Sequence, residues 1–183
     1  MKNMKKEVKL SCAVLAIFTL FLIRFTTTVA TVSRDPVQSK HGMVVSVSPI
    51  ASEVGAEILK KGGNAIDAAV AVGFALCVTW PEAGNLGADG FMIVHHAETD
   101  ETVAIDYRAM APLRSHRDMY LDSSGEIIPK IANVGHLSAA VPGAVAGLFE
   151  ALERYGTMSP EEVLAPSIDL AEKGFQIDAF LAR

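Results

Sequence analysis

Hydrophobic and polar positions change period several times along this chain, and each change marks an element. Residues 43–47 are a short apolar run rich in valine, which suits a buried strand. Ile50, Val54 and Ile58 then recur at four-residue spacing and stack on one face of a helix. Ser48 is placed to cap that helix, with Pro49 at its first position. Gly62-Gly63 closes it, and Asn64 with Asp67 three residues on opens a second helix in a capping-box arrangement. The second helix is rich in alanine (Ala65, Ala68, Ala69, Ala71, Ala75) and apolar nearly all round, which predicts burial at close packing distance. Trp80-Pro81 stops it.

A glycine-rich loop, Gly84-Asn85-Leu86-Gly87-Ala88-Asp89-Gly90, leads to a predicted hairpin. Its strands cover residues 91–95 and 102–107, with a polar turn around Glu98 to Glu101. Residues 134–141 show no clear period. Pro142-Gly143 opens a helix to about Tyr155, with Val145, Leu148 and Leu152 on one face and Gly156 at its end. Ser159-Pro160-Glu161-Glu162 is a capping box for a last helix that Lys173-Gly174 closes and that Pro166 is placed to divide. The pattern predicts an α/β (α+β) fold with helices layered on a sheet. Residues 178–183 are apolar-periodic and stop in mid-element, as in a truncated chain.

The front of the chain reads differently. Lys2, Lys5, Lys6 and Lys9 precede an apolar run over residues 10–23, and Thr28-Val29-Ala30 supplies compact residues for a cleavage point. The run is about 14 residues, short for a bilayer crossing at 1.5 Å per residue. Three segments are expected: a signal peptide over 1–30, a linker over 31–42 and a folded part over 43–183. The chain is therefore read as exported, periplasmic or secreted, with no membrane association after cleavage; an uncleaved anchor is the alternative. Arg24 interrupts the exit of the apolar run and favours that alternative.

Composition narrows the function classes. The whole chain carries a net charge of −5, and the leader holds five cations against Glu7, so the remainder is more acidic still. Such a chain has no electrostatic footprint for nucleic acid or anionic membrane. Cys12 lies in the leader, which leaves Cys77 without a partner and, in its apolar run, as an inert buried thiol. His95 and His96 are adjacent in a strand, point to opposite faces and cannot share a metal ion, so no metal site is expected. The glycine loop lacks the Gly-Lys-Ser/Thr ending of a phosphate loop and does not run from strand into helix. Spacing alone makes it a tight connection. Arg108 ends a strand, where a guanidinium can bind a carboxylate through two parallel hydrogen bonds. On residues alone the favoured reading is an ordinary surface arginine or one paired with Asp106.

Several segments together resemble the γ-glutamyltransferase family. They are Ala51-Ser52-Glu53-Val54-Gly55, Gly62-Gly63-Asn64-Ala65-Ile66-Asp67-Ala68-Ala69, Gly84-Asn85-Leu86-Gly87, Ala104-Ile105-Asp106-Tyr107-Arg108, Val141-Pro142-Gly143-Ala144-Val145-Ala146-Gly147 and Tyr155-Gly156-Thr157-Met158. Their order and spacing cover nearly all of the folded part. The resemblance implies the front of a four-layer αββα N-terminal-nucleophile hydrolase made as a self-cleaving precursor. It implies γ-glutamyl compounds such as glutathione as substrates, transfer to water or amino acids, and no cofactor. It gives Arg108 the α-carboxylate of the γ-glutamyl group. It places the nucleophilic threonine beyond Arg183, in the C-terminal portion or small subunit, so residues 1–183 carry no catalytic residue and are expected to be inactive alone. Two departures stand out. The family usually has glutamate directly after the arginine, where this chain has Ala109, and more glycine where it has Ala88-Asp89. Other readings are an amide acylase of the cephalosporin acylase kind, a capsule-anchoring transpeptidase, and a non-catalytic remnant or exported binding module.

Overall fold

A computed structural model describes residues 36–177, 179, 181 and 182, so the predicted leader over 1–30 and the front of the predicted linker lie outside the described residues. The chain divides into two units, Met1–Lys40 and His41–Arg183. Of the first, residues 36–40 are exposed and irregular. The second holds helices α1 (Pro49–Lys60) and α2 (Ala65–Thr79), strands β1 (Gly90–His96) and β2 (Glu101–Tyr107), a 3₁₀ turn at His136–Ser138, and helices α3 (Ala144–Tyr155) and α4 (Pro160–Lys173).

Local chemistry sets the helix ends. Ser48 Oγ accepts from the N–H of Ala51 at 3.3 Å, with Pro49 following it. Asn64 Oδ1 accepts from the N–H groups of Ile66 at 2.8 Å and Asp67 at 3.0 Å, while Asp67 Oδ2 accepts from the Asn64 N–H at 2.7 Å. Ser159 and Glu162 cap α4 in the same reciprocal way. Each device satisfies backbone donors that a helix start leaves free.

The second helix is the hub, and α1, α3 and α4 all pack on it. Val70, Ala71 and Ala75 of α2 are fully buried, together with Ile58 of α1, Ala151 of α3 and Val163 of α4. Burying a side chain of this kind stabilises by about 1.5–3 kcal/mol for Val or Ile. A polar knot locks the same layer. Asp67 is fully buried, and besides capping its own helix it accepts from Thr157 N–H at 2.9 Å, Thr157 Oγ1–H at 2.6 Å and Met158 N–H at 3.1 Å. Asn64 Nδ2 donates to the Tyr155 carbonyl at 2.7 Å. The segments Asn64–Asp67 and Tyr155–Met158 therefore hold the start of α2 to the α3–α4 connection. Burial on its own would raise the Asp67 pKa. The bonds from Thr157 Oγ1–H and the three backbone N–H groups outweigh it and hold the carboxylate below its ordinary range.

Strands β1 and β2 pair antiparallel, with Gly90 opposite Tyr107, Met92 opposite Ile105 and Val94 opposite Val103. Val94 and Ile105 point into the helix layer and are buried, while Phe91, Ile93 and Ala104 form an apolar outer face open to solvent. His95 and His96 do point apart: His95 bonds Thr102 Oγ1 at 3.1 Å outside, and the His96 ring lies 5.0 Å from the Tyr155 ring inside.

Three expectations need correction. Residues 43–47 alternate in exposure, but they form no strand, because no described segment pairs with them. Pro166 does not divide α4, which continues through it. The ring forfeits one backbone bond, but Val163 and Ser167 remain buried against the hub and keep the helix in register. Cys77 is half-buried, not fully buried; its thiol donates to the Gly73 carbonyl at 3.3 Å, and burial pushes its pKa up.

Candidate functional site

The hairpin register brings the site together. Since Gly90 pairs with Tyr107, the residue before β1 stands beside the residue after β2, and these are Asp89 and Arg108. The Asp89 carboxylate bonds the Arg108 guanidinium through Nη1 and accepts from the Ala109 N–H at 3.0 Å. Asp106 does not pair with the guanidinium; its Oδ1 accepts from the Arg108 backbone N–H at 2.9 Å. The Asp89 side chain is 18% exposed and that of Arg108 is 63% exposed, so an aspartate seated in the loop holds an arginine that faces solvent. The Ala109 N–H does most to keep the Asp89 pKa below its ordinary value; burial opposes it, and Arg108 adds to the lowering.

Two further contacts fix the frame. The Ala88 carbonyl accepts from the Ala144 N–H at 3.0 Å, which ties the glycine loop to the first turn of α3. Met110 and Val141 exchange backbone bonds of 3.1 and 2.8 Å, which draws Val141-Pro142-Gly143 over the end of β2. The otherwise patternless stretch 134–141 ends in this bridge. A Cβ on Gly143 would lie 2.1 Å from the Tyr107 carbonyl oxygen, and one on Gly147 would lie 2.1 Å from Tyr107 Cγ. Only glycine lets α3 come this close to the strand, and burial under α3 raises the Tyr107 pKa.

The result is a cleft of about 370 Å³ with Arg108 at its wall, lined further by Met110, Val141, Pro142, Ala146 and Glu150. Glu150 is paired with Arg154 at 3.4 Å. Neither the Arg108 Nε nor its Nη2 has a partner among the described residues. These two N–H groups lie on one edge of the guanidinium and match the two oxygens of a carboxylate. The lining holds this cation, a phenol and carboxylates, but no Ser, Thr, Cys, Lys or His side chain. The open guanidinium edge is therefore the one cationic feature of the lining, and it can take an anion such as a carboxylate. The sequence marks Arg108 by its strand-end position but gives the Asp89 charge no place; the hairpin register sets the two side by side.

A helix layer packed on a strand pair, with the arginine where β2 leaves the sheet, is a mixed α/β portion of the N-terminal-nucleophile hydrolase fold. The family model for gamma-glutamyltranspeptidase matches residues 51–183. The chain belongs to the γ-glutamyltranspeptidase family. It is 50% identical over 147 residues to the glutathione hydrolase proenzyme of Escherichia coli (strain K12), covering 80% of this chain and 25% of that protein. It superposes on the crystal structure of Helicobacter pylori gamma-glutamyltranspeptidase with a TM-score of 0.76 at 47% identity, over 80% of this chain and 42% of that one. The cephalosporin acylase of Bacillus halodurans is more distant, with a TM-score of 0.70 at 30% identity over 85% of this chain and 28% of that one. The chain thus spans about a quarter of the length of the curated relative from Escherichia coli.

Proposed function

We propose that this chain is the N-terminal part of a glutathione hydrolase or γ-glutamyltransferase, and that its task is to hold the γ-glutamyl group by the α-carboxylate. Arg108 carries the reading: a solvent-facing guanidinium at a cleft wall, with its Nε–Nη2 edge open, in a member of this family. The α-carboxylate lies on that edge through two charge-assisted hydrogen bonds, which places the γ-amide at a set distance from the clamp. A threonine from another part of the protein attacks the γ-carbonyl, with its own terminal amine taking the proton. The amine product leaves, and water or an amino acid then takes the γ-glutamyl group from the acyl-enzyme. The basic, apolar start of the chain supports export before any of this occurs. Among the described residues no helix is long and apolar enough to cross a membrane.

The test uses the protein expressed from its native gene. Wild type is expected to hydrolyse glutathione and a γ-glutamyl anilide. Arg108→Ala is expected to raise KM by at least about thirtyfold, the effect of leaving a bound carboxylate unpaired. Arg108→Lys recovers part of the loss, because lysine keeps the charge but not the fork. No turnover by wild type, or an unchanged KM in Arg108→Ala, overturns the proposal. A wild-type preference for β-lactam side-chain amides over γ-glutamyl amides points instead to an acylase, as the 30% likeness to the cephalosporin acylase allows.

A further inference from the structure

The geometry points to Asp89 as a positioning residue that sets which edge of Arg108 is offered to a substrate carboxylate. This rests on the reading of Arg108 given above and adds a residue to it. Arg108 follows the last residue of a strand, and its long side chain is mostly in water, where several rotamers are open to it. Something must choose among them. Among the described residues Asp89 is the guanidinium's partner, and it bonds Nη1 alone. The Asp89 carboxylate sits at Nη1, and the side-on Nε–Nη2 edge is the fork that points away from it.

Asp89 is itself held on three sides. Its second oxygen takes the Ala109 N–H at 3.0 Å, so the carboxylate spans the side chain of one residue and the backbone of the next. The residue before it gives its carbonyl to Ala144 of α3, and the residue after it opens β1 opposite Tyr107. At 18% exposure the side chain has little room to leave this seat. A substrate carboxylate therefore meets a guanidinium already aimed. Asp89 stays in place while the ligand binds and does not compete with it for the same edge.

The test compares two donors, a γ-glutamyl anilide and the same anilide with its α-carboxylate converted to a carboxamide, in the protein expressed from its native gene. Wild type favours the carboxylate donor in kcat/KM. In Asp89→Ala that preference is expected to fall about tenfold, through KM with kcat little changed, while the carboxamide donor is handled as before. Asp89→Asn, which keeps the shape and loses the charge, falls between the two. A merely structural role would lower both donors alike, and that result overturns the inference, as does an unchanged preference. A lower KM in Asp89→Ala also overturns it, because the carboxylate would then be a competitor. If Arg108→Ala removes the preference and Asp89→Ala does not, this inference fails alone; if Arg108→Ala leaves the preference intact, the reading of Arg108 fails with it. A ligand-free readout stands beside the kinetics. The Arg108 Nη resonances are resolved from those of free arginines in wild type and join them in Asp89→Ala; coincidence with the free arginines already in wild type overturns the inference.

Discussion

Two aspartates in this chain make similar bonds in opposite settings. Asp67 is sealed among helices and takes three backbone N–H groups and a hydroxyl. Asp89 sits at the rim of the sheet and takes one backbone N–H and one guanidinium. Both carboxylates are held below their ordinary pKa, in each case with backbone N–H bonds contributing and burial opposing. The difference lies in what each holds. Asp67 joins backbone to backbone across a separation of 90 residues, so its loss is felt as stability. Asp89 joins backbone to a side chain that faces water, so its loss is expected to show in recognition. The lesson is that an acidic residue's role is read from the mobility of its partner, not from how strongly its own pKa is shifted.

Breaking the buried half should have the largest effect. Asp67→Ala strands several donors at once inside the helix layer and is expected to cost about 3 kcal/mol, a fall in Tm of roughly 10 °C by calorimetry. A fall of a degree or less would show that water or neighbouring groups replace the carboxylate. Gly147→Ala comes next. Its Cβ meets the Tyr107 ring, and overpacking of this kind costs about 1–3 kcal/mol in a urea titration while pushing α3 off the strand. The mutant is also expected to raise KM, since the cleft wall moves with α3.

The pH dependence sharpens the comparison further. The folded pKa of Asp67 is lowered, so its contribution is fully present above the unfolded value of about 3.9 and is lost as pH falls through the folded value. Acid unfolding curves should therefore steepen below about pH 4 in wild type, and this limb should flatten in Asp67→Asn. Asp89→Asn should leave the acid limb close to that of wild type and show its effect in KM alone. This is the smallest change in stability and the cleanest separation of the two roles.

Much of the layer could be read from sequence because its signals are local. The Ser48-Pro49, Asn64–Asp67 and Ser159–Glu162 caps act within three residues and are visible as written. What could not be read depends on partners far along the chain. The valine-rich run over residues 43–47 does not say whether a neighbouring strand exists, and none pairs with it among the described residues. The partnership of Asp67 with Thr157 has no mark at either residue. Pro166 looks like a breaker until packing on α2 is known. Arg108 was legible as a strand-end guanidinium, and the resemblance gave it a ligand. Asp89 was legible only in principle, since its place beside Arg108 needs the hairpin register to the residue.

The most direct test of the site is a crystal structure of the protein with L-glutamate bound. The account predicts the α-carboxylate on Nε and Nη2 of Arg108, with Asp89 still bonded to Nη1 and to the Ala109 N–H. A glutamate whose α-carboxylate lies away from Arg108, or one that has displaced Asp89 from the guanidinium, would contradict it.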